Sequence, residues 1–160
     1  MIGSSVINTI VSTAVNHDIL FETLILIIPI VERRPSTILL LEPDDDARPL
    51  LVGNLASRGY VVLMALNAQE ALDRATHAPT IDLILINQFD ASIEAAIATG
   101  QRIRQQSHLS DATPVVVLAE EYTTEMEGKN VQAGNNNFVA YLEDGQQLID
   151  LLETLRERSP

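Results

Sequence analysis

Five short apolar runs, each followed by a stretch of helical character, constrain this 160-residue chain more than any other feature. They are Thr37-Ile38-Leu39-Leu40-Leu41, Tyr60-Val61-Val62-Leu63-Met64, Ile81 to Ile86, Pro114 to Ala119 and Asn137 to Leu142. Each is too short for a helix and apolar on both faces, the pattern of strands in a parallel sheet covered on both sides. The stretches between them read as helices over about Ala47 to Ser57, Asn67 to His77, within Ser92 to Gln105, near Thr123 to Gln132 and over Gly145 to Arg158. Gly59 stands where a residue is favoured just past a helix. Asn67 reads as an N-cap, with Glu70 at the reciprocal capping-box position. Gly128 weakens the fourth helical stretch. The last one gathers Leu148, Ile149, Leu151, Leu152 and Leu155 on one broad apolar face.

Strands and helices alternating at this spacing imply right-handed crossovers and an α/β, doubly wound, five-stranded parallel sheet between two helical layers. The residues that close the strands, Glu42, Asn87, Ala119 and Tyr141, are then expected together at the carboxyl edge. Ligands and chemistry sit at that edge in open α/β sheets.

Composition narrows the function. The apolar fraction is 46% and the charged fraction 20%, as in a globular protein. A net charge of −12 argues against nucleic acid as a direct partner, because phosphate binding needs clustered Lys and Arg. There is no cysteine, so disulfides, thiolate metal sites and thiol nucleophiles are excluded; this fits a cytoplasmic location. His17, His77 and His108 are scattered without ligand spacing. There is also no Gly-rich phosphate loop after the first strand, no nucleophile elbow and no Ser-His-Asp set, so no enzyme template is met.

Residues 1–35 differ from the rest. Val6 to Val31 is strongly apolar but interrupted by Asn8, Asn16, His17, Asp18 and Glu22. The apolar part after Glu22 falls short of the ~20 residues of a membrane-spanning helix. No positive residue precedes the apolar region and no small-residue cleavage site closes it, against a signal peptide. Ser4 or Ser5 could cap a helix running to about Ile28, with Pro29 and Arg33-Arg34-Pro35 marking its exit. The expectation is a helical extension and linker over 1–35 that docks on a partner or a second copy, followed by one domain over 36–158. An extra helix packed on its own domain, or a translated leader with no role, is the plain alternative, and peripheral membrane contact through residues 6–31 the minor one.

From residue 37 onward several motifs fall in series. Ile38 to Leu41 leads into an acidic cluster, then Arg48 and Gly59-Tyr60; Asn67-Ala68-Gln69-Glu70-Ala71-Leu72 follows. Asp82 to Asn87, Ile103-Arg104, Pro114 to Leu118 and Gly134 to Phe138 complete the order. Over roughly Thr37 to Arg158 this resembles the receiver domain of two-component response regulators, the CheY-like and flavodoxin-like fold. The resemblance implies an acidic pair holding Mg²⁺, a phosphoacceptor aspartate, a hydroxyl residue after the fourth strand and a lysine after the fifth. Carried onto this chain, the pair falls on Glu42 and Pro43, the acceptor on Asn87, the hydroxyl on Ala119 and the lysine on Tyr141. The family's Met-Pro and Gly after the acceptor are missing from Gln88-Phe89-Asp90-Ala91, and its proline after the lysine is Leu142. The switch aromatic falls on Phe138.

Those departures remove the chemistry. Phosphoryl transfer needs an anionic oxygen nucleophile and a metal to neutralise the transferring group. An amide oxygen is a poor nucleophile. Pro43 and Asn87 take two negative charges from the ion's surroundings, each worth ~4 kcal/mol of gross attraction at ~4 Å and an effective dielectric of ~20. Mg²⁺ binding is therefore expected to be weak or absent, with no other cofactor implied. Ala119 has no hydroxyl and Tyr141 no cation.

The expected function is a stand-alone pseudo-receiver, a phosphorylation-independent interaction module in phosphorelay-type signalling. Its expected surfaces are the fourth helix, the fifth strand and the fifth helix. Two alternatives remain: a relay acceptor using Asp44, Asp45 or Asp46, which otherwise read as a solvated turn capping the first helix, or a small-ligand sensor whose pocket is rebuilt by Asn87, Ala119 and Tyr141.

Overall fold

A computed structural model of the chain describes residues 34–158 apart from Asp90, so the expected N-terminal helix lies outside the described residues. The elements run β1 (Thr37–Leu41), α1 (Ala47–Ser57), β2 (Val61–Ala65), α2 (Ala68–His77), β3 (Leu83–Asn87), α3 (Ile93–Gln106), β4 (Val115–Leu118), β5 (Lys129–Gln132), β6 (Asn137–Tyr141) and α4 (Gly145–Arg158). The sheet order is β2-β1-β3-β4-β6-β5. All neighbours are parallel except β5, which runs antiparallel to β6 at the edge. This is the expected doubly wound α/β class.

Alternate residues of each central strand enter opposite apolar layers, which is why the runs carry no polar alternation. Ile38, Leu40, Leu85, Val116 and Phe138 face one layer with Leu148, Ile149 and Leu152 of α4. Leu39, Leu41, Ile84, Ile86, Val115 and Val117 face the other, with Ala71 and Ala75 of α2 and Ala96 and Ile103 of α3. Among the described residues β2 pairs only with β1, and Val61 and Met64 on it are exposed. α3 lies so close to β4 that a Cβ at Gly100 would sit 2.3 Å from Val115 Cγ1.

Local signals behave largely as read. The backbone reverses after α1 through Gly59 at φ +86°. Asn67 Oδ1 accepts from the Glu70 amide at 2.9 Å. The return bond of the box comes from Leu66, whose amide donates to Glu70 Oε2 at 2.9 Å, one residue earlier than the pattern assumes. Arg74 bonds the other oxygen of Glu70, and these contacts, the Arg74 bond foremost, hold the Glu70 carboxyl below its ordinary range.

The fourth helical stretch is the correction. Residues expected as helix near Thr123 to Gln132 form a turn and then the edge strand β5, so the sheet has six strands and is mixed. Only Met126 and Val131 are apolar there, which gives a helix no face to bury. The Met126 amide bonds the Thr123 carbonyl at 2.8 Å, and Gly128 takes φ +78° to send the chain back along β6. The loop from β5 to β6 turns through Gly134 at φ +102° and Asn136 at φ +54°, residues suited to the left-handed region. The surface expected on a fourth helix is thus a hairpin edge beside α4.

Candidate functional site at the carboxyl edge of the sheet

Strand register brings the four strand-closing residues into one row. Leu41 pairs with Ile86, Asn87 with Leu118, and Leu118 with Ala140, so Glu42, Asn87, Ala119 and Tyr141 stand side by side at the carboxyl edge. The edge is laced by backbone bonds from Glu42 to Ala65, Gln88 to Leu118 and Ala119 to Ala140.

Glu42 is fully buried. Its Oε1 accepts from the Asp44 amide at 2.9 Å, while Oε2 is buried without a partner. Arg48 from α1 folds over this loop, donating to the carbonyls of Glu42 and Pro43 at 2.9 Å each and pairing with Asp45 at 2.7 Å. Asp44 Oδ1 accepts from the amides of Asp46 and Ala47 at 2.7 and 3.2 Å. The acidic turn therefore caps α1, and Asp44 does the capping, since Asp46 makes no side-chain cap bond.

Asn87 donates from Nδ2 to Glu120 Oε1 at 3.2 Å. Gln88 reinforces the same bridge, accepting from the Glu120 amide at 3.1 Å and donating to the Ala91 carbonyl at 2.8 Å. Ala119 is buried. Tyr141 meets Tyr122 edge to face with centroids 5.5 Å apart, and the Tyr122 hydroxyl donates to the Leu142 carbonyl. An aromatic pair stands where the resemblance implies a cation. Phe138 is buried in the layer beneath α4.

This donor set does not fit Mg²⁺. The ion takes carboxylates in near-octahedral geometry, and here Pro43 offers no side-chain oxygen, Asn87 is an amide, and Glu42 has one oxygen on a backbone amide, leaving this set a single carboxylate oxygen. Among the described residues no cluster of three or more acidic or histidine side chains could hold a metal.

Two hollows open at the edge. One, of about 360 Å³, lies between the ends of β1 and β3 on the α2–α3 side, with Pro43, Leu66, Asn87 and Phe89 among its walls. The other, of about 290 Å³, is polar and is lined by Gln88, Ala91, Glu120 and Glu121. In these two hollows Asn87 lines the first together with Pro43, and neither Ala119 nor Tyr141 belongs to the lining of either. The sequence singles out Gln88 and Phe89 only as departures from the family pattern, and Leu66, Glu120 and Tyr122 not at all. Large apolar residues in loops just past strand ends, as at Leu66 and Phe89, were the available signal.

No known sequence family and no curated protein matches the chain. Solved structures do. The response regulator receiver protein from Sinorhizobium medicae WSM419 superposes with a TM-score of 0.58 at 16% identity, over 78% of this chain and 96% of that one. The chemotaxis protein CheY4 of Vibrio cholerae gives 0.57 at 19% identity, over 76% and 98%. CheY6 from R. sphaeroides, in complex with the phosphorylated P1 domain of CheA3, gives 0.53 at 21% identity, over 77% and 98%. The chain has the CheY-like receiver fold.

Proposed function

We propose that this chain is a pseudo-receiver, a non-enzymatic, cytoplasmic interaction module of two-component signal transduction that works without being phosphorylated. The observation that carries the reading is Asn87. It closes the central strand β3 at the acceptor position, and its amide is bonded to Glu120 across the edge. Pro43, Ala119 and Tyr141 beside it lack the carboxylate, hydroxyl and cation that phosphoryl transfer would use. The partner is another signalling protein or a second copy of the chain; the complex of CheY6 with the P1 domain of CheA3 is a precedent for the first kind. The surfaces that suit docking are α4 and the β5–β6 edge, where all four residues of β5 are exposed.

Incubation with acetyl phosphate and Mg²⁺ followed by intact-mass measurement tests the reading. The expected result is no gain in mass. A gain of one phosphoryl group would overturn it, and mapping that group to Asp44, Asp45 or Asp46 would establish the relay alternative. At Asp44 that outcome would weaken the start of α1, because an aspartyl phosphate leaves only a carbonyl oxygen, a poorer acceptor than the carboxylate, for the amides of Asp46 and Ala47.

A further inference from the structure

We propose that the crevice between the carboxyl ends of β1 and β3 binds a small uncharged organic molecule, with an apolar body of one or two rings and a group able to hydrogen-bond. Its place is the first argument. The strand order reverses at β1, which has β2 on one side and β3 on the other, and such switch points leave a crevice outside the strand ends. At about 360 Å³ it stands near the small end of the ~300–1,000 Å³ range of ligand sites.

Its chemistry is the second. Leu41, Pro43, Leu66 and Phe89 supply apolar wall, Asn87 and Thr99 supply polar groups, and among the described residues no ionisable side chain lines it. An anion would find no cation there, in a protein of net charge −12. A cation would be desolvated with no carboxylate among the described wall residues to repay it. A neutral ligand meets neither cost.

The mouth is the third. Leu66 and Phe89 are 43% and 42% exposed, and both belong to the lining. Two large apolar side chains held in water at the lip of one hollow would be covered by an apolar ligand. Pro43 and Asn87 connect these points, since the residues that strip the edge of its charge are themselves walls of the crevice.

The experiment is a titration of the ¹⁵N-labelled full chain with indole, and with indole-3-acetate and tryptamine as anionic and cationic counterparts. Indole is expected to give saturable shifts at the amides of Leu66, Ala68, Phe89 and Thr99 in the millimolar range, with both charged compounds weaker by about fivefold or more. Phe89→Ala and Leu66→Ala should each weaken indole by a similar factor. Met64→Ala, exposed on β2 but outside the lining, should not. The proposal is overturned if indole gives no saturable shift at those amides, if its shifts spread equally to Leu50 and Val131, or if the charged compounds bind as well. This result is independent of the phosphorylation test, so either reading can fail alone.

Discussion

The hydroxyl of Tyr60 is a buried polar group with no hydrogen-bond partner among the described residues, at the end of the sheet opposite the candidate site. An unmade bond of this kind costs about 1–3 kcal/mol. Tyr60→Phe keeps the ring and removes the orphan, so it should raise the urea unfolding free energy by about 1 kcal/mol. Burial foremost pushes the Tyr60 pKa above its ordinary value. The folded state therefore holds the proton more tightly than the unfolded chain. That contribution is complete below about pH 10 and is lost as pH rises through the raised value. Alkaline unfolding should be less steep in Tyr60→Phe. Gly100 gives the opposite lesson. Alanine there gains about 1 kcal/mol of helix propensity, but its Cβ would lie 2.3 Å from Val115 Cγ1. Forcing β4 and α3 apart costs about 1–3 kcal/mol, so Gly100→Ala should lower stability, read from the same denaturation curves.

Among the elements, the turn and strand in place of a helix after β4 make a prediction whose sign decides. Were residues 123–132 helical, Gly128→Ala would stabilise by about 1 kcal/mol. At φ +78°, with Glu143 Oε2 3.2 Å from the new Cβ, the same substitution should destabilise by about 1 kcal/mol. Urea denaturation of the two proteins distinguishes the cases. The contrast with α2 and α4 is physical. Asn67 and Glu70 specify the start of α2 through bonds within five residues, and α4 carries five buried leucine and isoleucine side chains on one face. The segment after β4 has neither local caps nor an apolar stripe, so pairing with β6 decides it.

For the whole molecule, the apolar run Leu24 to Val31 calls for a surface to cover it. Self-association predicts that light scattering finds the full chain dimeric and a chain beginning at Arg34 monomeric. An unchanged mass would remove residues 1–33 from any dimer. The described edges of the sheet are poorer candidates. β5 is four residues long and carries Lys129, features that discourage strand-to-strand pairing, so a partner on the β5–β6 edge would meet its exposed side chains and not extend the sheet.

The five parallel strands and the residues that close them were legible in the chain because both are local. An apolar run marks a strand, the residue closing it marks the carboxyl edge, and the identity of Asn87, Pro43, Ala119 or Tyr141 fixes what that position can do. Tertiary structure alone decided that Asn87 turns to Glu120, that Tyr141 meets Tyr122, and that Pro43, Leu66 and Phe89 enclose a crevice. Those contacts join residues up to 46 positions apart through loops whose paths follow from how strands and helices pack, and no spacing along the chain encodes them.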